Sequence, residues 1–207
     1  MQGRGGTRDD LRNLINTCRT KGVRVYADAV LNHFSGGGND VLSHRNGSDD
    51  WCTTWEGKST SAKENNSPYY THNWTFDYME NTDDIPGCEF PAAAVGVMDF
   101  HCERSLNSWT DPFQLNYGWL SGLTDVDTES EYMRERIAAY FTDLLSIGFS
   151  GFRMDAAKHI MPESIAQILA IMKRNLGGGD LPDDFMTYLE VLIGGEASLL
   201  ECNEGDY

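Results

Sequence analysis

Residues 149–156 carry the strongest constraint on how this chain can fold. Phe149, Phe152, Met154 and Ala156 are apolar, Arg153 and Asp155 alternate with them, and Lys158-His159 follow directly. A period of two is the pattern of a strand with two chemically different faces, and here one face carries a guanidinium and a carboxylate. Segments with helical spacing stand on both sides of it. Thr128 with Glu131 as capping partner opens one, which runs through Met133, Ile137, Phe141, Leu144 and Leu145 to a stop at Gly148. Pro162 opens the other, whose stripe of Ile165, Ile168, Leu169, Met172 and Leu176 ends at Gly177-Gly178-Gly179.

The same alternation extends in both directions. Thr7 and Asp10 read as a capping box before Leu11, Leu14, Ile15 and Cys18, with a stop at Gly22. A β-branched run over residues 23–30 follows and ends in Asp28-Ala29-Val30-Leu31-Asn32-His33, and a third strand is expected over residues 186–193. Helix, strand, helix, strand, helix, strand implies parallel strands joined by crossover helices, an α/β fold. Between the first and second strands lies an irregular stretch, residues 34–124, far longer than an ordinary connection. It is expected to be an inserted domain, flanked by residues 1–33 and 125–207. Trp51, Trp55, Tyr69, Tyr70, Trp74, Phe76 and Tyr78 crowd within it, as a sugar-stacking surface or as the core of a small irregular domain.

Composition removes several classes of function. With 32 acidic against 16 basic residues, a net charge of -16, the chain lacks the clustered Lys and Arg that phosphate backbones require, so no nucleic-acid partner is expected. No apolar run approaches the ~18 residues of a membrane span. The five cysteines, Cys18, Cys52, Cys88, Cys102 and Cys202, include no C-x-x-C pair. Cys18, within an amphipathic helix, is the expected buried thiol. Three N-x-S/T sequons, at Asn46, Asn65 and Asn73, cluster in the polar stretch and point to a secreted, extracellular protein. Residues 2–10 are polar and Gly-rich, without the apolar core of a signal peptide, and the chain is read as an internal piece of a longer protein.

In parallel α/β folds, chemistry sits at the C-terminal ends of strands. That rule selects Asp28, Asn32 and His33 from the first strand, Arg153, Asp155, Lys158 and His159 from the second, and Glu190 from the third. Two carboxylates, Asp155 and Glu190, then face one site from neighbouring strands, as glycoside hydrolysis requires. Strands ~4.8 Å apart allow the ~5 Å carboxyl separation of a retaining enzyme. The residues alone leave other readings open: Asp155 with Arg153 as a buried ion pair, His33 as a loop histidine satisfied by backbone, and Lys158-His159 as a solvated strand end. Glu190, between Leu189 and Val191, is the kind of acid whose pKa an apolar strand would raise.

Together these segments resemble the α-amylase family of glycoside hydrolases. The signature stretches are Asp28-Ala29-Val30-Leu31-Asn32-His33, residues 151–159, and Glu190-Val191, in that order. The resemblance implies a partial TIM (β/α)8 barrel, with an irregular domain B inserted after the third barrel strand. It implies an endo-acting enzyme that cleaves α-1,4-glucosidic bonds of starch or glycogen with retention. Asp155 would be the nucleophile and Glu190 the general acid/base. Arg153 would hold the nucleophile ionised, Asp28 would pair with Arg153, His33 would contact the sugar, and Lys158 and His159 would line the leaving-group side. A structural calcium is implied on Asn32, Asp125 and the backbone carbonyl of His159, with Asp127 as the alternative to Asp125 and a carbonyl near Asn116 as a further ligand. In animal-type members the arginine that matches Arg153 also helps bind chloride, through further ligands that would lie beyond this chain. A third catalytic carboxylate, an aspartate preceding a histidine, would also lie beyond Tyr207, so these residues alone are expected to be inactive. The full-length protein is expected to be a monomer. The same residues suit a related α-glucanotransferase or maltose-producing enzyme; a catalytically dead relative serving as a binding ectodomain is the reading from another class.

Overall fold

The structure, a computed structural model, describes residues 2–3, 5–34, 70–71, 74–75, 99–101 and 105–192. Its centre is a parallel sheet of three strands, β1 (Ala27–Val30), β2 (Gly151–Asp155) and β3 (Met186–Leu189), in the order β1-β2-β3. Register sets Asp28 beside Arg153, Val30 beside Asp155, and Arg153 beside Tyr188. The two faces have opposite character, as the alternation requires. Ala27, Ala29, Phe152 and Met154 point into a packed core, whereas Asp28, Val30 and Tyr188 are exposed on the other side.

The helices are α1 (Arg8–Thr20), the short α2 (Pro112–Tyr117), α3 (Glu131–Ile147) and α4 (Pro162–Asn175). Of these, α3 and α4 cover the apolar face, α1 packs on α3, and α2 packs on residues 157–159 beyond the end of β2. Ile137, Ala138 and Phe141 from α3 meet Ile165, Ile168 and Met172 from α4 over the sheet, and Phe141 stacks on Phe152 with ring centres 4.0 Å apart. Burial of these side chains is the main stabilising contribution, at about 1.5–3 kcal/mol for each large one. The Thr7 capping box is present: the Thr7 amide donates to Asp10 Oδ2 at 2.8 Å and Thr7 Oγ1 accepts from the Asp10 amide.

Several sequence expectations are corrected. The cap of α3 is Ser130, not Thr128, because residues 127–130 make a turn in which the Ser130 amide donates to Asp127. Thr128 is buried in that turn instead. Of the α1 stripe only Ile15 is buried and Leu14 is exposed. Cys18 is free but half-buried. All three strands are shorter than their apolar runs. β2 ends because Ala156 takes a left-handed conformation, φ 50°, and Glu190 follows β3 directly, its amide still donating to the Met154 carbonyl at 2.9 Å. Helix α2 was not expected, although Asp111, whose side chain caps it, and Pro112 at its first position are ordinary start signals. Among the described residues no helix is long and apolar enough to cross a membrane.

Three short segments cross at the C-terminal end of β1. Phe34 donates to the Thr124 carbonyl, Val126 to Asn32, His101 to Asp125 and Asp127 to Asp99, all through backbone amides at 2.8–3.0 Å. This weave fixes residues 31–34, 99–101 and 124–127 against each other above the sheet. The sequons, the crowded aromatics other than single strand positions Tyr70 and Trp74, and every cysteine but Cys18 lie outside the described residues.

At Gly151 the backbones of β2 and β3 leave no room for a side chain. Its φ is +146°, and a Cβ there would stand 1.7 Å from the Met186 carbonyl oxygen. Gly151→Ala is expected to destabilise the protein by about 3 kcal/mol or more, combining backbone strain with a clash that separates the strands. A chemical-denaturation midpoint indistinguishable from wild type would show that the β2-β3 pairing is not as close as described.

Candidate active site and metal junction

Asp28 lies on β1, Asp155 on β2 and Glu190 directly after β3, yet the one guanidinium of Arg153 touches all three carboxyl groups. Arg153 Nη1 donates to Asp28 Oδ1 at 2.6 Å and to Asp155 Oδ1 at 2.9 Å, while Nη2 lies 2.6 Å from Glu190 Oε1. The reason is register. Asp28 and Arg153 are lateral neighbours, Asp155 lies two residues on along the same face, and Glu190 follows β3 on the far side. The Arg153, Asp155 and Glu190 side chains are each about a quarter exposed, and Asp28 is 62% exposed. The Arg153–Asp155 ion pair is therefore present, as part of a larger cluster open to one side.

Glu190 is held by more than its ion pair. The left-handed turn at Ala156 points its amide at Glu190 Oε2, 3.1 Å away, and the Ala157 amide donates to the Glu190 carbonyl. The Ala156 amide is the main cause that draws the Glu190 pKa below its ordinary value; partial burial opposes it, and Asp155 and Arg153 add to the lowering. The expected upward shift is thus reversed in this arrangement. An apolar strand disfavours a carboxylate, but an amide and a guanidinium aimed at its oxygens outweigh that.

His33 is half-buried beside this cluster. Burial lowers its pKa against the attraction of Asp155, and among the described residues its Nδ1 has no hydrogen-bond partner, backbone or side chain. Lys158 and His159 are both buried rather than a solvated strand end. Lys158 Nζ donates to the Leu192 carbonyl at 2.7 Å and sits 4.5 Å from the centre of the Trp109 ring. His159 Nδ1 meets the Leu115 carbonyl of α2 at 2.8 Å, and its ring also meets Trp109 edgewise. Burial is the first cause that lowers the pKa of His159. Trp109 escaped the sequence reading because an isolated aromatic in a Ser/Asn/Thr stretch has no periodicity to mark it.

A second cluster occupies the junction above β1. Asn32 and Asp125 are almost completely buried, and Asn32 Nδ2 and Asp125 Oδ1 have no hydrogen-bond partner among the described residues. His101 Nδ1 lies 2.6 Å from Asp125 Oδ2, and Nε2 lies 3.1 Å from Glu129 Oε2 and 3.7 Å from Asp127 Oδ1. Burial pushes the Asp125 carboxyl up to about 7 against the pull of His101. Burial also opposes charge on His101, but its carboxylate neighbours win and raise it to about 10. His101 was missed in the sequence: it lies 24 residues from Asp125, with no spacing motif to connect them.

Three buried or half-buried carboxylates around one imidazolium leave an excess of negative charge that a cation would offset. The oxygen-rich set of Asn32 and Asp125, with an orphaned carboxylate oxygen between them, fits a hard divalent ion such as calcium. His101, Asp127 and Glu129 also lie close enough together to share an ion, their ligand atoms all within 4.8 Å of one another.

Comparison with known proteins agrees with this geometry. Residues 2–175 match the family model described as alpha amylase, catalytic domain. An alpha-amylase of Thermomonospora curvata is 34% identical over 173 residues, 83% of this chain and 23% of its own length. Pancreatic alpha-amylase 2a5 of Mus musculus is 31% identical over 80% of this chain and 27% of its own. The chain therefore spans about a quarter of each of these relatives. Among solved structures, wild-type alpha-amylase I of Eisenia fetida superposes with a TM-score of 0.60 at 26% identity, over 97% of this chain and 36% of that one. A mutant of the same Eisenia enzyme, solved with maltohexaose, superposes with a TM-score of 0.60 at 25% identity. These neighbours place the three-stranded sheet in a TIM-barrel-type fold, and the chain belongs to the alpha-amylase catalytic-domain family of glycoside hydrolases.

Proposed function

We propose that these residues supply two of the catalytic carboxylates of an endo-acting α-amylase that hydrolyses internal α-1,4-glucosidic bonds of starch or glycogen with retention. The observation that carries the reading is the convergence of Asp155 and Glu190 on the single guanidinium of Arg153. It brings the two carboxyl groups to the mouth of the sheet together, as a double displacement requires. The maltohexaose bound by the Eisenia relative supports an α-glucan as substrate.

In this reading an Asp155 oxygen attacks the anomeric carbon as the glycosidic C–O bond breaks, and the Glu190 proton passes to the leaving oxygen. Water then gives its proton to Glu190 and its oxygen to the anomeric carbon, releasing Asp155. Arg153 orients Asp155, and Asp28 holds Arg153 from the other side. His33 contacts the sugar, and Lys158 and His159 line the leaving-group side, where Trp109 stands exposed. Glu190 needs its proton for the first step, so its contact with Arg153 has to loosen when substrate arrives. Asn32, Asp125 and the His159 carbonyl would hold calcium, which bound there would neutralise the buried carboxylates and tie the loops to the barrel. Residues 34–124 would form the inserted domain, between barrel parts 1–33 and 125–207. The sequons favour a secreted protein.

In the full-length protein, Asp155→Asn and Glu190→Gln are each expected to lower starch cleavage, read as reducing ends released, by about a thousandfold or more. Retention of most activity by either variant would remove that residue from its role. Arg153→Gln takes a cation away from the Glu190 carboxylate, so the titration of Glu190 should move upward. A carboxyl carbon resonance of Glu190 that titrates as in wild type would contradict that coupling.

A further inference from the structure

The Asp125 carboxyl is held on one side only. Its Oδ2 is gripped by His101 Nδ1 at 2.6 Å, while Oδ1, buried beside the Asn32 amide, has no hydrogen-bond partner among the described residues. A carboxyl group free to turn about its terminal bond does not point one oxygen in a fixed direction. Here the imidazole prevents that turn, and residue 101 is itself held through both its backbone and its ring. Its backbone amide donates to the Asp125 carbonyl at 2.9 Å, its carbonyl accepts from Trp119 Nε1 at 3.2 Å, and the Tyr117 ring packs edgewise at 4.8 Å. Its other nitrogen, Nε2, faces Glu129 Oε2 at 3.1 Å.

We propose that His101 is a positioning residue for the junction metal, braced by Glu129, and that it orients Asp125 so that Oδ1 faces the ion. His101 touches the ion through Asp125 and not directly. The chain Glu129, His101, Asp125 repeats the common arrangement in which an outer partner fixes a metal-ligating side chain, and loss of such a partner costs about 10- to 100-fold in metal affinity. The inference rests on the calcium reading of Asn32 and Asp125. It also gives residue 101, distant in sequence from both ligands, a reason to be histidine.

The test is calcium affinity of the full-length protein, by isothermal titration calorimetry and by the luminescence of terbium as a calcium substitute. Circular dichroism at saturating metal would confirm that each variant is folded. His101→Phe keeps the ring volume without its nitrogens and is expected to bind calcium at least about tenfold more weakly. His101→Asn places an amide near the position of Nδ1 and should recover most of the affinity. Glu129→Ala, which removes the group facing Nε2, should weaken binding by a smaller factor. Wild-type affinity in both His101→Phe and Glu129→Ala would overturn the positioning role. Absence of saturable calcium binding by wild type, or unchanged binding by Asp125→Asn, would overturn the calcium reading on which it stands.

Discussion

The guanidinium of Arg153 is the interaction on which the open face of the sheet depends. Asp28, Asp155 and Glu190 are brought within reach of one another by the parallel register alone, and three carboxylates so placed repel. One cation between them converts that repulsion into an ordered array, with Asp28 and Asp155 on Nη1 and Glu190 on Nη2. Arginine suits this position because its planar fork offers several donors in fixed directions and it does not lose its proton. Because every member of the cluster is at least a quarter exposed, water screens its energies, and the value of the arrangement lies in orientation more than in stability.

A second constraint acts at the end of β1. The peptide weave of residues 31–34, 99–101 and 124–127 satisfies backbone groups that would otherwise be buried without partners. It also gathers charge: Asp125, Asp127 and Glu129 meet at His101. Asn32 and His33 are consecutive but serve different neighbourhoods, Asn32 turning toward Asp125 and His33 toward Asp155. A cation at the junction would therefore act on the active site through a single peptide link.

Period-two alternation in β2, flanked by helical stripes with capping and glycine signals, made the parallel α/β core legible in the sequence, because burial of one strand face leaves a direct imprint on residue order. The strand-end rule then picked out Asp28, Arg153, Asp155 and Glu190, which the structure brings together. Strand lengths were overread, since the apolar runs continue past the paired residues, as at Val23, whose amide turns back to the Cys18 carbonyl of α1. Burial of Lys158 and His159 was not legible either. It depends on α2 and Trp109, separated from them by more than forty residues. His101 shows the limit most clearly: its place is set by backbone crossings, which leave no pattern in the order of residues. The direction of the Glu190 shift was misjudged for a related reason. The donor that sets it is a backbone amide turned by the left-handed Ala156, a conformation no residue type at that position announces.

Covalent capture tests the central claim most directly. A slow-releasing glycosyl fluoride of an α-glucan, incubated with the full-length protein and followed by peptide mass spectrometry, should leave one glycosyl group esterified to Asp155. Attachment at Glu190 or another carboxylate, or turnover of the substrate through an inverted product with no adduct, would contradict the account.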